Sequence, residues 1–149
     1  MRLWRISNFV DLSGFGGLIS SARWNSRGTE IVYLAESPAG ALLERLVHLE
    51  IDPEDLPRIY QLLAVEIPDR LPILTIDEND LPADWRSNDT ATQAFGDRWL
   101  HEGDTPLLRV PSAITPHTFN WLLNTRHPEA SRAKITDVIS APFDQRLFR

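Results

Sequence analysis

Side chains that could bind or transform a charged small molecule occur in three places in the first third of the chain. The first is the segment Arg23-Trp24-Asn25-Ser26-Arg27-Gly28, where the planar fork of an arginine suits a carboxylate or a phosphate. The second is Tyr33, near the end of an apolar run, and the third is Glu44, inside a segment with a helical pattern. Each also has an ordinary structural interpretation, as a surface arginine, a core tyrosine and a solvated helical glutamate. Spacing alone does not choose between these interpretations.

Common catalytic and cofactor-binding motifs are missing from the sequence. Gly14, Gly16 and Gly17 approach the dinucleotide-binding glycine pattern, but position 19 carries no glycine and no suitable strand and helix flank the segment. No phosphate-binding Walker loop occurs. Metal-ligand spacing is also absent from the four histidines, which are His48, His101, His117 and His127. We therefore expect chemistry that needs no metal.

Composition limits the class of protein. A chain of 149 residues, 42% of them hydrophobic, suits a single domain over residues 1–149. The 21 acidic and 15 basic residues give a net charge of −6, which argues against direct binding of nucleic acid. The sequence has no cysteine, no signal-peptide pattern at its start and no apolar run long enough for a membrane helix. We expect a cytoplasmic protein without membrane contact.

Apolar periodicity predicts short strands and two helices, separated by 11 prolines. Ser37 and Pro38 should begin a helix that runs to about Leu49, with an apolar stripe of Leu42, Leu43, Leu46 and Leu49. A second helix is predicted over 90–100, in a segment 69–104 that otherwise resembles a loop. The remaining predictions are a glycine-rich loop at 11–17, a turn at 52–57, and strands at 3–6, 31–35, 59–67, 107–110, 119–123 and 135–139. This pattern favours an α+β fold.

The order of these pieces resembles the RES-domain family. Its first half is similar to Arg23-Trp-Asn-x-x-Gly28, Val32-Tyr33-x-Ala35 and Ala41-Leu-Leu-Glu44 with His48. Its second half is similar to Val110-Pro-Ser112-Ala, Asn124-x-x-His127-Pro128 and Asp144-x-Arg146-Leu147-Phe148. The resemblance spans nearly the whole chain and is weakest over residues 69–105, which match little beyond Gly96 and Trp99.

The resemblance implies a fold, an activity and a partner. RES domains have a split β-sheet core like that of ADP-ribosyltransferases, with a few short helices and a cleft for NAD. Members are toxins of toxin–antitoxin systems that consume NAD by hydrolysis or phosphorolysis, and at least one kind ADP-ribosylates a protein. They are encoded with a Xre-type helix-turn-helix antitoxin that blocks the site. A homodimer within that complex is compatible with the resemblance.

The resemblance also assigns site residues. The family is named for an arginine, a glutamate and a serine, which correspond to Arg23, Glu44 and Ser112, with Arg5 a second candidate arginine. Cleavage of the nicotinamide–ribose bond passes through an oxocarbenium-like state that one carboxylate can stabilise, which suits Glu44. The predicted catalytic residues are Glu44, Arg23 and Tyr33, and the predicted NAD-binding residues are Arg5, Arg23, Tyr33, Ser112 and Asn25.

These residues have distinct expected roles. Arg5 and Arg23 would clamp the pyrophosphate, and Tyr33 would stack on nicotinamide or ribose. Ser112 would bond NAD or orient Glu44.

Three alternatives to an NAD-degrading toxin remain open. The same fold serves a mono-ADP-ribosyltransferase that modifies a protein, and the sequence has no recognisable acceptor-binding signature. A non-catalytic binding module would keep the fold, although the joint presence of Arg23, Tyr33, Glu44 and Ser112 argues against it. An RNA-cleaving toxin is disfavoured by the acidic charge and by the lack of a histidine pair for acid and base.

Overall fold

The computed structural model describes residues 1–49, 53–55 and 57–148 of the chain. Within these residues, seven strands form one sheet and three α-helices lie between them. The strands are β1 (Arg2–Ile6), β2 (Val32–Ala35), β3 (Ile59–Glu66), β4 (Ile73–Thr75), β5 (Leu107–Pro111), β6 (Phe119–Leu123) and β7 (Lys134–Pro142). The helices are α1 (Gly16–Ile19), α2 (Pro38–Val47) and α3 (Asp89–Glu102).

The sheet has two parts that join at one narrow place. Its strand order is β4-β5-β6-β2-β1-β3-β7, antiparallel except for the parallel pair β4–β5. The described residues pair β1 with β2 only at Trp4 and Ala35, whereas β1 pairs with β3 from Arg2 to Ile6. This arrangement confirms the predicted α+β class with a split-sheet core.

Side chains alternate between the two faces of the sheet, as the strand period of two requires. One face buries an apolar cluster that includes Leu3, Val32, Leu34, Val65, Leu107 and Leu123. The opposite face packs Leu108, Val110 and Leu122 against three tryptophans from outside the sheet, Trp24, Trp85 and Trp99. The second face is the one that carries Tyr33.

Helix α2 begins as predicted but buries a different side. Ser37 is its N-cap, with its Oγ accepting from the Gly40 N–H at 2.9 Å, and Pro38 is the first helical residue. The predicted leucine stripe is wrong, because Leu43 is 39% exposed and the buried residue of the helix is Ala41. A small residue lets the helix lie close to the sheet, so the leucines remain at its flanks. The helix ends at Val47, two residues before the predicted end.

The segment 69–104 is more structured than predicted. It contains β4, which pairs with β5, and α3 extends over Asp89–Glu102 rather than 90–100. A three-residue strand at the edge of a sheet leaves too short an apolar pattern to detect. The predicted glycine loop likewise continues into the four-residue helix α1.

The other predicted strand limits lie within three residues of the observed ones. Strand β7 covers Lys134–Pro142 instead of 135–139, because its exposed edge position tolerates polar residues. Residues Pro53–Asp55 of the predicted turn form a 3-10 turn, and Asp52 lies outside the described residues.

The close contact between α3 and the Arg23 segment gives a stability prediction. A Cβ added at Gly96 would lie 1.7 Å from the carbonyl oxygen of Trp24. We expect Gly96→Ala to lower the free energy of unfolding by about 1–3 kcal/mol in urea denaturation, although alanine is favoured over glycine inside an isolated helix. Gly16→Ala is the control, since its Cβ would meet no atom within 4 Å. Unchanged or increased stability of Gly96→Ala would contradict the contact.

Candidate active-site cleft

A cavity of about 660 Å³ opens where β1 and β2 separate. It lies between the sheet, helix α2 and the segment from Gly16 to Asn25. Positions 41, 44 and 45 of α2 share one face of the helix with the C-cap residue His48, because these positions are three or four residues apart. The cavity is lined by Trp4, Arg5, Ile6, Gly16, Gly17, Ser20, Ser21, Ala22, Arg23, Trp24, Asn25, Ile31, Tyr33, Leu34, Ala35, Ala41, Glu44, Arg45, Val47, His48, Pro111, Ala113, Ile114 and Asn120.

The Glu44 carboxylate is held from the sheet. Its Oε1 accepts hydrogen bonds from the Asn120 side-chain amide at 2.8 Å and from the Ser112 hydroxyl at 3.4 Å. Its Oε2 lies 4.0 Å from Nε2 of His48, one helical turn further along α2. The Glu44 side chain remains 29% exposed. A carboxylate in this setting has a fixed direction and still faces the cleft.

Ser112 contributes by orienting Glu44. The residue directly follows β5 and is 3% exposed. Its Oγ accepts from the backbone N–H groups of Ile114 and Thr115, at 3.1 and 3.2 Å. A hydroxyl has one proton to donate, and here that proton is directed to Glu44. Of the two roles that the sequence left open for Ser112, this geometry favours orientation of Glu44.

The half-buried Tyr33 and the buried Asn25 form a polar pair beside the arginine segment. The Tyr33 hydroxyl donates to Oδ1 of Asn25 at 2.5 Å and accepts from the Trp24 N–H at 3.2 Å. Asn25 is fully buried, and its Nδ2 donates to the carbonyls of Ser20 and Ser26. Burial raises the pKa of Tyr33 above its usual value, which keeps the hydroxyl neutral. Both residues therefore hold the segment as well as lining the cavity.

Three arginines surround the cleft. The Arg23 guanidinium donates to the Arg86 carbonyl at 3.1 Å and lies 3.3 Å from Oδ1 of Asp89. The Arg5 guanidinium donates to the Asp11 carbonyl at 3.2 Å, and burial lowers the pKa of Arg5 below its ordinary value. Arg45, on the cleft face of α2, was not predicted from the sequence.

Helix α3 fixes the arginine segment from behind. The Thr92 hydroxyl donates to the Arg23 carbonyl at 2.6 Å, and the Gln93 amide donates to the Ala22 carbonyl at 2.9 Å. Asp97 accepts from both the backbone N–H and the hydroxyl of Ser26. Residues 69–105, which resemble the RES family least, therefore hold the Arg23 segment, which is one of the motifs that carry the resemblance.

Asn120 was also missed by the sequence analysis. The local signal was present, because Asn120 is the one polar residue in the apolar strand Phe119–Leu123. Its role depends on β6 lying beside β2 and on α2 crossing near that strand.

Residues 1–49, 53–55 and 57–148 contain no group of three or more His, Cys, Asp and Glu side chains placed so as to hold a metal ion. No helix there combines the length and apolarity needed to cross a membrane. The cleft itself offers one oriented carboxylate, several cations and aromatic walls. Such a set can stabilise a developing cation at Glu44 while binding anions at the arginines.

Comparison with known proteins agrees with this fold. Residues 2–144 match the model of the RES domain. Toxin Res of Pseudomonas putida is 50% identical, over 99% of this chain and all of its own. The Prs ADP-ribosylating toxin of Sphingobium is 37% identical, over 98% of this chain and 96% of its own. A chain in the MbcT–MbcA toxin–antitoxin complex of M. tuberculosis shares the fold, with a TM-score of 0.71, 16% identity and coverage of 95% of this chain and 84% of that one.

A split antiparallel sheet with a carboxylate fixed beside its cleft is the architecture that the sequence resemblance implied. The family model matches residues 2–144, and the relatives align over nearly their whole length, so both comparisons support assignment to a family. The chain belongs to the RES-domain family.

The buried hydroxyl of Tyr33 gives the second prediction. We expect Tyr33→Phe to lower the free energy of unfolding by about 1–3 kcal/mol, because the substitution leaves Asn25 and the Trp24 N–H without their partner. Chemical denaturation followed by circular dichroism measures the change. Tyr60→Phe is a matched control, since the Tyr60 ring packs on Phe143 at 4.9 Å between centroids and the ring is retained. Equal stability of the two variants would contradict the structural role of the Tyr33 hydroxyl.

Proposed function

We propose that this chain is the toxin of a toxin–antitoxin pair and an enzyme that cleaves the nicotinamide–ribose bond of NAD. The observation that carries the proposal is the Glu44 carboxylate, oriented by Asn120 and Ser112 at the wall of an arginine-rich cleft. The relatives support the class, since their names are Toxin Res and Prs ADP-ribosylating toxin. Transfer of ADP-ribose from NAD breaks this same bond.

The proposed catalytic role of Glu44 is electrostatic. As nicotinamide departs, positive charge develops on the ribose, and an oriented carboxylate stabilises it. The leaving nicotinamide is neutral, so no general acid is required. Asn120 and Ser112 keep the carboxylate in place by donating hydrogen bonds to it. Tyr33 and Trp24 contribute to the wall of the cleft beside it.

The proposed binding role belongs to the arginines. NAD carries a pyrophosphate with two negative charges, and a guanidinium binds such a group through paired hydrogen bonds. Arg5 and Arg23 line the cleft, and Arg45 adds a third cation. Asn25 donates from its amide nitrogen to carbonyls of its own segment and accepts from the Tyr33 hydroxyl on β2, so it ties the segment that carries Arg23 to the sheet.

A second candidate is mono-ADP-ribosylation of a protein. The specific observation in its favour is the 37% identity to a relative named Prs ADP-ribosylating toxin. Water, phosphate or a protein group would attack the same ribosyl carbon, so the cleft chemistry is shared. Incubation with NAD alone separates the candidates: release of free nicotinamide without any protein acceptor supports NAD degradation. Release that requires an added protein supports transfer.

Glu44→Gln gives the decisive test of the mechanism. The substitution keeps the size of the side chain and removes its negative charge. We expect kcat for nicotinamide release to fall by about 10²–10³, the magnitude typical of a single electrostatic stabiliser. The measurement is steady-state nicotinamide release from NAD by the purified variant.

One control variant and one variant with a different expected effect accompany that measurement. Glu102→Gln changes an exposed glutamate at the end of α3 and should keep wild-type turnover. Arg23→Ala should raise KM at least as much as it lowers kcat, because a phosphate clamp binds ground state and transition state alike. A Glu44→Gln protein with wild-type turnover would refute the proposed electrostatic role of Glu44. Loss of turnover on adding a metal chelator would contradict the expectation that the reaction needs no metal.

We also propose a Xre-like helix-turn-helix antitoxin as the partner of this chain. The MbcT–MbcA structure is titled a toxin–antitoxin complex, which supports a partner of that kind. The net charge of −6 supports DNA contacts made by the partner rather than by this chain. We expect the purified chain alone to show no tight binding to operator DNA at physiological salt, and the complex to bind it. Gel-shift titration measures both, and tight binding by the chain alone would refute this division.

A further inference from the structure

The two oxygens of the Glu44 carboxylate have different surroundings. Oε1 accepts the hydrogen bonds from Asn120 and Ser112, at 2.8 and 3.4 Å. Oε2 accepts no hydrogen bond from the residues that the structure describes, and its ion-pair partner there is the imidazole of His48, whose Nε2 lies 4.0 Å away. Oε1 therefore fixes the direction of the carboxylate, and Oε2 is the oxygen that remains to act on a bound molecule.

The separation between Oε2 of Glu44 and Nε2 of His48 suits a shared water molecule. A distance of 4.0 Å is too long for a direct hydrogen bond, which needs about 2.7–3.2 Å. One water with hydrogen bonds of about 2.8 Å to both atoms spans a separation of about 4–4.5 Å. Such a water donates one hydrogen to each group and directs its lone pairs away from both, so it is oriented to attack a carbon in the cleft.

Few groups in the cleft are able to take the proton of such a water. The described residues that line the cavity and can ionise are Arg5, Arg23, Tyr33, Glu44, Arg45 and His48. Arginines stay protonated, and burial keeps the Tyr33 hydroxyl neutral by raising its pKa. Of the two bases that remain, Glu44 would lose the negative charge that stabilises the ribosyl cation if it took the proton. His48 takes the proton without that loss.

His48 is also well placed to release the proton afterwards. It is the C-cap residue of α2, one helical turn beyond Glu44, and its side chain is 67% exposed. Histidine is the side chain that most readily accepts and releases a proton near neutral pH. Contact with solvent lets the imidazole return to its neutral form before the next cycle.

On the basis of NAD as the substrate, we propose that His48 is the general base of NAD hydrolysis and that it shares the attacking water with Oε2 of Glu44. The bond between the ribosyl carbon and the nicotinamide nitrogen breaks, and its electron pair stays with nicotinamide. The water oxygen bonds to the ribosyl carbon, and its proton passes to Nε2 of His48. The products are ADP-ribose, nicotinamide and one proton, which the imidazolium then gives to solvent.

This role separates acceptors by whether they must lose a proton. Water must lose one as it bonds to the ribosyl carbon, so its attack depends on the base. The azide anion carries no proton and bonds to the same carbon through nitrogen without a base. Activity that is lost with His48 should therefore return when azide replaces water as the acceptor.

His48→Gln is the first variant to test, because glutamine can hold a water by hydrogen bonds but cannot take its proton at neutral pH. We expect kcat for nicotinamide release in azide-free buffer to fall by about 10², with KM for NAD within about twofold of wild type. Added azide should restore nicotinamide release and yield ADP-ribosyl azide. The backbone N–H of His48, not its side chain, bonds the carbonyls of Arg45 and Leu46, so circular dichroism should show an unchanged fold.

Two further variants separate proton transfer from a simple ion pair. His48→Lys keeps a positive charge beside Glu44 but presents no free base at neutral pH, so it should lose hydrolysis as His48→Gln does. His101→Gln changes an exposed histidine of α3 outside the cleft and should keep wild-type turnover.

Each contrary outcome has a distinct meaning. Wild-type hydrolysis by His48→Gln or by His48→Lys would overturn the proposal, and so would a loss of activity that azide does not restore. If the unaltered chain releases no nicotinamide from NAD, with or without azide, the proposed substrate is refuted as well.

Discussion

The hydrogen bond from the Asn120 amide to the Glu44 carboxylate is the contact on which the cleft depends. Helix α2 buries only Ala41 deeply, so apolar packing alone gives its outer residues little orientation. The amide of Asn120, reinforced by the hydroxyl of Ser112, ties the middle of the helix to strands on the far side of β2. Neutral donors therefore orient the Glu44 carboxylate, which remains partly solvated. Burying such donors costs less free energy than burying a second charge.

The opposite wall is built on a different principle. The segment that carries Arg23 has little regular structure, and it is fixed by side-chain donors from α3 together with the close approach of Gly96 to Trp24. Asp89, at the start of that helix, also pairs with the Arg23 guanidinium. The sheet therefore orients α2, which forms one wall of the cleft. Helix α3 orients the Arg23 segment, which forms the other wall.

The sequence predicted what depends on local pattern and missed what depends on strand order. Strand β6 was located at its observed limits because an apolar run needs no partner to be recognised. Strand β4 was missed, since three residues at an edge leave too little pattern. Glu44 and Arg23 were found from the order of their motifs along the chain. Asn120 was not found, because its meeting with Glu44 requires β2 and β6 to be neighbours, which no local spacing indicates.

The distance along the chain between Glu44 and its two donors has a consequence for biosynthesis. The donors are 68 and 76 residues further on, at Ser112 and Asn120. A chain emerging from the ribosome holds the glutamate, the arginine segment and the tyrosine well before either donor exists. The carboxylate acquires its orientation only after most of the polypeptide has been translated. Products of translation that end before Ser112 therefore lack both donors to Glu44, and with them the contacts that orient its carboxylate.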